Sequence, residues 1–387
     1  MRVEKMVRQL LAGCGEILHA KRSEAVVRAV GGIIHGGRLT PASIGRNLAS
    51  KARPKHGIKS IDRLLRNEHL ARERWDIFRT VAHSLLSGCR RPVVLVDWTQ
   101  VMGTHEALVA AIPIGGRALP IYVEVHPLKK LGNARVEEHF LTLLGTILPP
   151  ECQPIIVSDA GFKGPFFEAV LALGWDFVGR VRGTAKAISP DGTVISKEEF
   201  YRSATPAPKD LGTHGLFVRQ RIPSRLVLIR KRRRPGPKLP PPKCKEEREL
   251  RQAALDPWLL ATSITDGSAD YIVGLYAKRM QIEETFRDAK NHRFGWSLGG
   301  VRTASLTRAV VLLLLTCLAM IVATLIGIGA ERRGVHRAYQ ANTSRSRVLS
   351  FLVLACAIIR RNEELSAILE EFWPSLDSVA SLASAQF

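Results

Sequence analysis

A 22-residue apolar run limits how this chain can fold more than any other feature does. The run AVVLLLLTCLAMIVATLIGIGA occupies residues 309–330 and contains no charged side chain. A segment of this length can cross a bilayer, or it can form a helix buried in a large core or a dimer interface. Thr, Cys and Gly interrupt the run, basic residues flank it, and no second segment of the sequence qualifies as a span. These features favour a buried helix, with a membrane span as the alternative.

Positive charge is large and unevenly distributed along the chain. The 387 residues carry a formal net charge of +22, with a pI near 10.3. Residues 1–90 contain 18 Lys or Arg against 7 Asp or Glu, and residues 184–257 contain 17 against 8. A protein this basic is usually matched to a polyanion. Nucleic acid is therefore the first expected partner, and an anionic membrane is the second.

Cysteine usage and the N-terminus indicate a reducing compartment. The six cysteines include no CxxC pair, and no His lies at zinc-ligand spacing, which argues against a disulfide framework and a structural zinc site. Residues 1–22 lack the continuous apolar stretch of a signal peptide and are typical of an amphipathic helix. We expect a cytoplasmic protein.

Residues 1–90 show apolar spacing typical of helices. The segment KSIDRLLRNEHL, residues 59–70, predicts a helix with Ser60 as its N-cap. One face of that helix carries three basic residues, Lys59, Arg63 and Arg66. These features predict a helical DNA-binding domain at 1–90. The alternative is a helical packing domain whose charges are only solvated.

From residue 91 the pattern predicts a mixed α/β core. Three antiparallel strands, with a turn at Gly115-Gly116, are followed by a helix, a strand, a helix and a fifth strand. A β-hairpin and a Pro-rich basic run at 230–249 then predict a β-rich insertion with a mobile loop. The predicted boundaries are 91–183 for the first part of the core, 184–257 for the basic insertion, 258–330 for the second part of the core, and 331–387 for a C-terminal helical region that can form a dimer contact.

Two aspartates follow apolar, β-branched runs. Asp97 ends VVLV and Asp159 ends IIVS, which places each carboxylate at the C-terminal end of a predicted buried strand. On neighbouring strands two such acids repel unless a cation lies between them, and Mg²⁺ is the hard ion that oxygen ligands favour. A single Asp at a strand end is more often an Asx-turn or a cap.

The segment YIVGLYAKRMQIEETFRDAK, residues 271–290, predicts one helix with an unusual charged face. At about 100° per residue, four side chains fall inside one 60° sector beside an apolar stripe. They are Tyr276, Arg279, Glu283 and Lys290. Glu284 falls outside this sector, so Glu283 is the preferred third carboxylate. The alternative is an ordinary amphipathic helix with a solvated flank.

These residues resemble a known family. The Y-(2)-R-(3)-E-(6)-K spacing, together with LVDWT around Asp97 and VSDAGF around Asp159, is similar to the insertion-sequence-four family of bacterial DDE transposases. The resemblance covers residues 59–330 in order and implies an RNase H-like core. It also implies that Asp97, Asp159 and Glu283 are catalytic and hold Mg²⁺, with Mn²⁺ as a substitute.

Further roles are implied by the same resemblance. Tyr276, Arg279 and Lys290 would contact phosphates of the transposon end, and Trp258 would stack on a flipped base, although a Trp opening an apolar strand is more often a core residue. The chain departs from the common pattern at Ala160, where the family usually has Arg.

The implied reaction is metal-dependent cleavage at transposon ends, with a hairpin intermediate, followed by strand transfer into target DNA. The implied partners are double-stranded DNA and a second copy of the chain in a synaptic complex, in a cytoplasmic, nucleoid-associated location without a membrane. Three alternatives remain open. The first two are an RNase H-like nuclease without strand transfer and a catalytically silent transposase-derived DNA-binding protein. The third is a membrane protein, an interpretation that only residues 309–330 support.

Overall fold

Helices and strands both contribute to this chain, as the sequence predicts. The computed structural model describes residues 2–103, 105–183, 185–231, 240–242, 244, 245, 248, 251, 255–293, 295–361 and 365–385. The chain divides into two units, the first formed by residues 1–154 and 280–385 and the second by residues 155–279. The predicted domain boundaries and the DNA-binding role of residues 1–90 stay predictions.

The first unit is mainly helical around three strands. Its helices are α1 (Arg2–Leu10), α2 (Ala20–Gly36), α3 (Pro41–Arg46), α4 (Pro54–Leu65), α5 (Glu68–Leu85), α6 (Ala134–Ile147), α10 (Met280–Lys290), α11 (Leu306–Arg332), α12 (Phe351–Arg361), α13 (Leu365–Glu370) and α14 (Phe372–Ala383). Its strands are β1 (Val93–Met102), β2 (His105–Ile114) and β3 (Arg117–Pro127).

Local capping sets the helix boundaries near the N-terminus and corrects one prediction. The predicted helix at 59–70 instead runs from Pro54 to Leu65, because Pro54 occupies its first turn. Asn67 then starts α5, since its side chain accepts a hydrogen bond from the backbone N–H of Leu70 at 2.8 Å. Ser60 lies inside α4, so the prediction that it is an N-cap is wrong.

Strands β1, β2 and β3 form the predicted antiparallel meander. β2 pairs with β1 on one side and with β3 on the other. The β2–β3 turn is Gly115-Gly116, with φ of 52° and 90°. Positive φ at both positions is what a tight two-residue hairpin turn requires, and glycine adopts it without steric cost.

The apolar run forms α11, which is the core helix of the first unit. It is the one helix among the described residues that is long and apolar enough to cross a membrane, and 89% of its most apolar 18-residue window is buried. It packs against β3, α2, α5, α12 and α14. A helix that is apolar on all sides needs partners on all sides, and this packing agrees with the buried-helix interpretation.

The second unit is built on strands and contains the predicted β-rich region. Its elements are β4 (Ile155–Ser158), α7 (Gly164–Ala172), β5 (Asp176–Arg180), β6 (Lys186–Ile188), β7 (Val194–Ser196), α8 (Lys197–Arg202), β8 (Lys209–Leu216), β9 (Ile222–Ile229), β10 (Trp258–Thr262) and α9 (Ala269–Ala277). The strand order is β4-β5-β10-β9-β8-β6-β7. β4 and β5 pair in parallel, and the predicted hairpin is β8–β9. Most of the basic run at 230–249, with its predicted mobility, lies outside the described residues.

The single helix predicted for residues 271–290 is two helices. α9 ends at Ala277 and α10 begins at Met280. The backbone N–H groups of Lys278 and Arg279 donate to carbonyls three residues earlier, at 3.1 and 3.0 Å, so the regular α-helical turn is lost there. The single continuous helix that the predicted 60° sector requires is therefore not formed.

Candidate active site

Asp97 lies within a strand and not at its end. β1 continues through Met102, and Asp97 is paired with Val109 of β2. The predicted strand end is wrong because β2 offers pairing partners beyond Asp97. Side chains alternate between the two faces of a strand, so Asp97 and Thr99 share one face. Trp98 faces the other way, where its indole N–H donates to Glu137 Oε1 at 2.9 Å.

Lys290 lies beside Asp97 in the first unit. Its Nζ donates to Thr99 Oγ1 at 3.0 Å. Burial lowers the pKa of Lys290, while the nearby carboxylates of Glu106 and Asp97 raise it. A cationic side chain from α10 thus stands next to the predicted catalytic carboxylate of β1.

Glu106 is a buried acid in β2 that the sequence pattern did not predict as a site residue. Only 6% of its surface is exposed, and burial raises its pKa while the Lys290 ammonium lowers it. No local sequence pattern identifies Glu106 as a site residue, because a Glu at the start of an apolar strand is ordinarily solvated. Its proximity to Lys290 depends on the packing of α10.

Two polar contacts fix α10 on β3. Thr285 Oγ1 accepts from the backbone N–H of Ala118 at 2.7 Å and donates to its carbonyl at 2.8 Å. Arg117 Nε donates to Asp288 Oδ2 at 2.8 Å.

Glu283 is exposed on the first turn of α10. It precedes Lys290 by seven residues on the same helical face, roughly 10 Å along the axis.

We expect Thr285→Val to destabilise the first unit. The variant leaves the buried N–H of Ala118 without its hydroxyl partner, at a cost of about 1–3 kcal/mol. Urea unfolding measures the loss, and Thr285→Ser is the matched control because it keeps the hydroxyl. Equal stability of Thr285→Val and the native chain would show that this contact does not hold α10.

Asp159 directly follows β4 in the second unit, as predicted. Its Oδ1 accepts a hydrogen bond from the backbone N–H of Gly161 at 2.7 Å. This is an Asx-turn, which fixes the carboxylate at the end of the strand. A side chain at Gly161 would place its Cβ 3.0 Å from Asp159 Oδ1, so the DAG sequence suits this turn.

Tyr276 is the centre of a basic cluster in the second unit. It is only 4% exposed, and burial raises its pKa. Arg279, Arg180 and Arg182 lower that pKa, whereas Asp159 raises it. We call Tyr276, Arg180, Arg182 and Arg279 the tyrosine cluster. It gathers three guanidinium groups close to a predicted catalytic carboxylate.

Arg180 and Arg182 are two further basic residues near Asp159 that the sequence analysis did not predict as site residues. They alternate in GRVRG at the end of β5, a spacing that puts both side chains on one face of an extended chain. That alternation is the sequence pattern that could have indicated a shared basic face. Arg180 Nη2 donates to the carbonyl of Asp256 at 3.1 Å. Burial and the neighbouring Arg182 lower the pKa of Arg180.

Trp258 opens β10 and contacts the tyrosine cluster. Its ring is 4.8 Å from that of Tyr276, at an interplanar angle of 80°. Lys231 Nζ lies 3.7 Å from the centroid of the Trp258 ring, in cation–π range. The indole is partly exposed, and its stacking role stays a prediction.

The basic residues predicted on α4 are exposed. Lys59, Arg63 and Arg66 all reach solvent, and Arg66 Nε lies 3.3 Å from Asp62 Oδ2. Asp62 also accepts from Arg308 Nη1 of α11 at 2.7 Å, which links α4 to the core helix. Contact of this face with DNA stays a prediction.

The three predicted catalytic carboxylates come from both units of the chain. Asp97 and Glu283 belong to the first unit, and Asp159 belongs to the second. Within the described part of the chain, no group of three or more His, Cys, Asp or Glu side chains is arranged to hold a metal. The donor chemistry of three carboxylates nevertheless fits a hard divalent cation.

Comparison with known families assigns the chain to a class. The family described as transposase DDE domain matches residues 89–322, more than half of the chain. The protein therefore belongs to the DDE transposases. The matched range contains Asp97, Asp159 and Glu283, together with Tyr276, Arg279 and Lys290. No curated protein sequence matches the chain significantly.

Proposed function

We propose that this chain cleaves DNA at the ends of a mobile element and joins those ends to target DNA. Asp97, Asp159 and Glu283 would be the catalytic carboxylates of an RNase H-like core. The observation that carries the proposal is that cationic groups lie near both aspartates, with Lys290 beside Asp97 and the tyrosine cluster beside Asp159. Membership of the DDE family supports the same reaction.

The three carboxylates would hold Mg²⁺, or Mn²⁺ in its place. When bound, such ions activate the attacking oxygen and stabilise the leaving oxygen in phosphodiester chemistry. The chain's own cations have a separate task. Lys290 and the arginines of the tyrosine cluster would bind the DNA phosphates and orient the scissile strand, while burial of Tyr276 keeps its hydroxyl protonated as a hydrogen-bond donor.

The partners proposed are double-stranded transposon ends, target DNA and a second copy of the chain. The net charge of +22 supports a polyanionic partner. A homodimer would bring two ends together in one synaptic complex. We further propose a cytoplasmic, nucleoid-associated location without a membrane partner, membership of the insertion-sequence-four family, and a hairpin intermediate in cleavage.

A joining assay tests this function. The substrate is a duplex that carries the DNA flanking the coding sequence, labelled at the 5′ end of the strand whose cleavage exposes the attacking 3′-hydroxyl, and a supercoiled plasmid is the target. We expect Mg²⁺-dependent cleavage and transfer of the label to the plasmid. Cleavage without transfer would identify a nuclease, and binding without either reaction would identify a silent DNA-binding protein.

A further inference from the structure

The second unit contains a cavity of about 720 Å³, and Ala160, the residue after Asp159, is part of its lining. Its lining includes Ala160, Phe162 and Phe217, and four basic side chains. These are Lys163, Arg182, Lys186 and Arg219. The described lining contains no Asp or Glu. The volume suits a ligand of nucleotide size, and the lining suits an anion that carries a flat ring.

The aromatic wall of this cavity belongs to a strained turn. Residues 217–221 join β8 to β9, and Phe217 and Arg221 have φ of 60° and 49°. The backbone N–H of Arg221 donates to the carbonyl of Phe217 at 2.8 Å, which closes the turn. A bulky residue rarely adopts positive φ unless its surroundings impose it, and such strain concentrates at functional positions.

The surroundings of Phe217 explain how its ring is held at the cavity. Its backbone N–H donates to the carbonyl of Lys186 at 3.2 Å. Its ring lies 6.2 Å from the ring of Phe167, with an interplanar angle of 21°. Phe217 remains partly exposed. Lys163, Lys186 and Arg219 are exposed around it, so the ring stands among cations that solvent can reach.

We infer that this cavity binds an unpaired nucleotide of a DNA strand, with the base stacked on Phe217 and the phosphates bound by the four basic side chains. This inference rests on the proposed function. A base in a duplex has both faces covered by its neighbours, whereas an unpaired base offers a face for stacking. Arg182 also belongs to the tyrosine cluster, so the bound strand would continue from this cavity toward Asp159.

Binding of the single-stranded oligonucleotide (dT)8 to the full chain tests the inference. Phe217→Gly removes the ring and also relieves the positive φ, since glycine adopts it freely. We expect this variant to bind (dT)8 about tenfold or more weakly, which is the size of one lost base stack. Binding of an eight-base-pair duplex should not change. Phe217→Trp should restore (dT)8 binding.

Charge is tested with a matched pair of variants in the same unit. Arg219→Gln should weaken (dT)8 binding and reduce its salt dependence by about one phosphate contact. Arg202→Gln, an exposed residue of α8 outside the cavity, should change neither. Equal (dT)8 binding by Phe217→Gly and the native chain would overturn the inference, as would an equal loss of duplex binding.

Failure of this inference is distinguishable from failure of the proposed function. (dT)8 binding is measured without metal and without cleavage. If cleavage and joining are normal but (dT)8 binding does not depend on Phe217, the nucleotide site is rejected and the proposed function is retained. If (dT)8 binding depends on Phe217 but the flanking DNA is not cleaved, the proposed function is rejected and the nucleotide site is retained.

Discussion

Asp159→Asn is expected to abolish Mg²⁺-dependent cleavage of the flanking DNA, and Asp97→Asn and Glu283→Gln should have the same effect. Each variant replaces a charged oxygen ligand with a neutral amide of nearly equal size. A metal ion contributes several kcal/mol to phosphodiester cleavage, so we expect a rate loss of about 10³-fold or more. Single-turnover cleavage of the labelled duplex measures it.

Duplex binding separates a catalytic defect from a structural one. The phosphate-binding cations remain in all three variants, so DNA affinity and its salt dependence should stay close to native. Glu284→Gln is the matched control for Glu283→Gln, because Glu284 is the neighbouring acid and its carboxylate pairs with Arg287 at 2.8 Å. Native cleavage rates in any one carboxylate variant would exclude that residue from catalysis.

Gly327→Val is expected to unfold the first unit or to destabilise it by at least about 3 kcal/mol. A Cβ at Gly327 would lie 2.6 Å from the carbonyl oxygen of Phe351 and 2.7 Å from its Cα. These are backbone atoms at the start of α12, so no side-chain rotation can relieve the clash. Glycine is unfavourable inside a helix, and the close approach of α12 explains its presence in α11.

Urea unfolding followed by circular dichroism measures the effect at Gly327. Gly274→Ala is the control, because Gly274 is also helical and an added Cβ there meets nothing within 4 Å. We expect that control to be stabilised by up to about 1 kcal/mol. Native stability of Gly327→Val would contradict the tight packing of α11 against α12.

Local patterns predicted those parts of the fold that depend on near neighbours. The Gly115-Gly116 turn and the apolar runs on either side identified the β1–β3 meander, and the run IIVS before Asp159 identified β4. Both signals act within a few residues. The all-round apolarity of 309–330 likewise excluded a solvated surface helix, and its interruption by Thr, Cys and Gly favoured burial in the protein over a membrane span.

Long-range packing creates the features that no local sequence pattern could predict. The break between α9 and α10 is invisible because Ile272, Leu275, Ile282 and Phe286 keep helical spacing across it and are all buried. The Lys290–Thr99 hydrogen bond joins residues 191 positions apart. No local pattern could have placed that lysine beside Asp97.

The tyrosine cluster illustrates the same limit. Arg180 and Arg182 come from β5, whereas Tyr276 comes from α9 and Arg279 follows it. β5 and α9 are far apart in the sequence. The fold of the second unit brings them together, because both contact β10. The sequence showed the alternating arginines, but it gave no reason to associate them with Tyr276.

Iron-directed cleavage of the polypeptide tests most directly whether the three carboxylates share a metal site. Fe²⁺ replaces Mg²⁺ in the complex with flanking DNA, and ascorbate with peroxide generates radicals that cut the backbone near the bound ion. We predict cuts close to Asp97, Asp159 and Glu283 together, suppressed by excess Mg²⁺ and lost in Asp159→Asn. Cuts that leave any of the three positions intact would contradict a shared metal site.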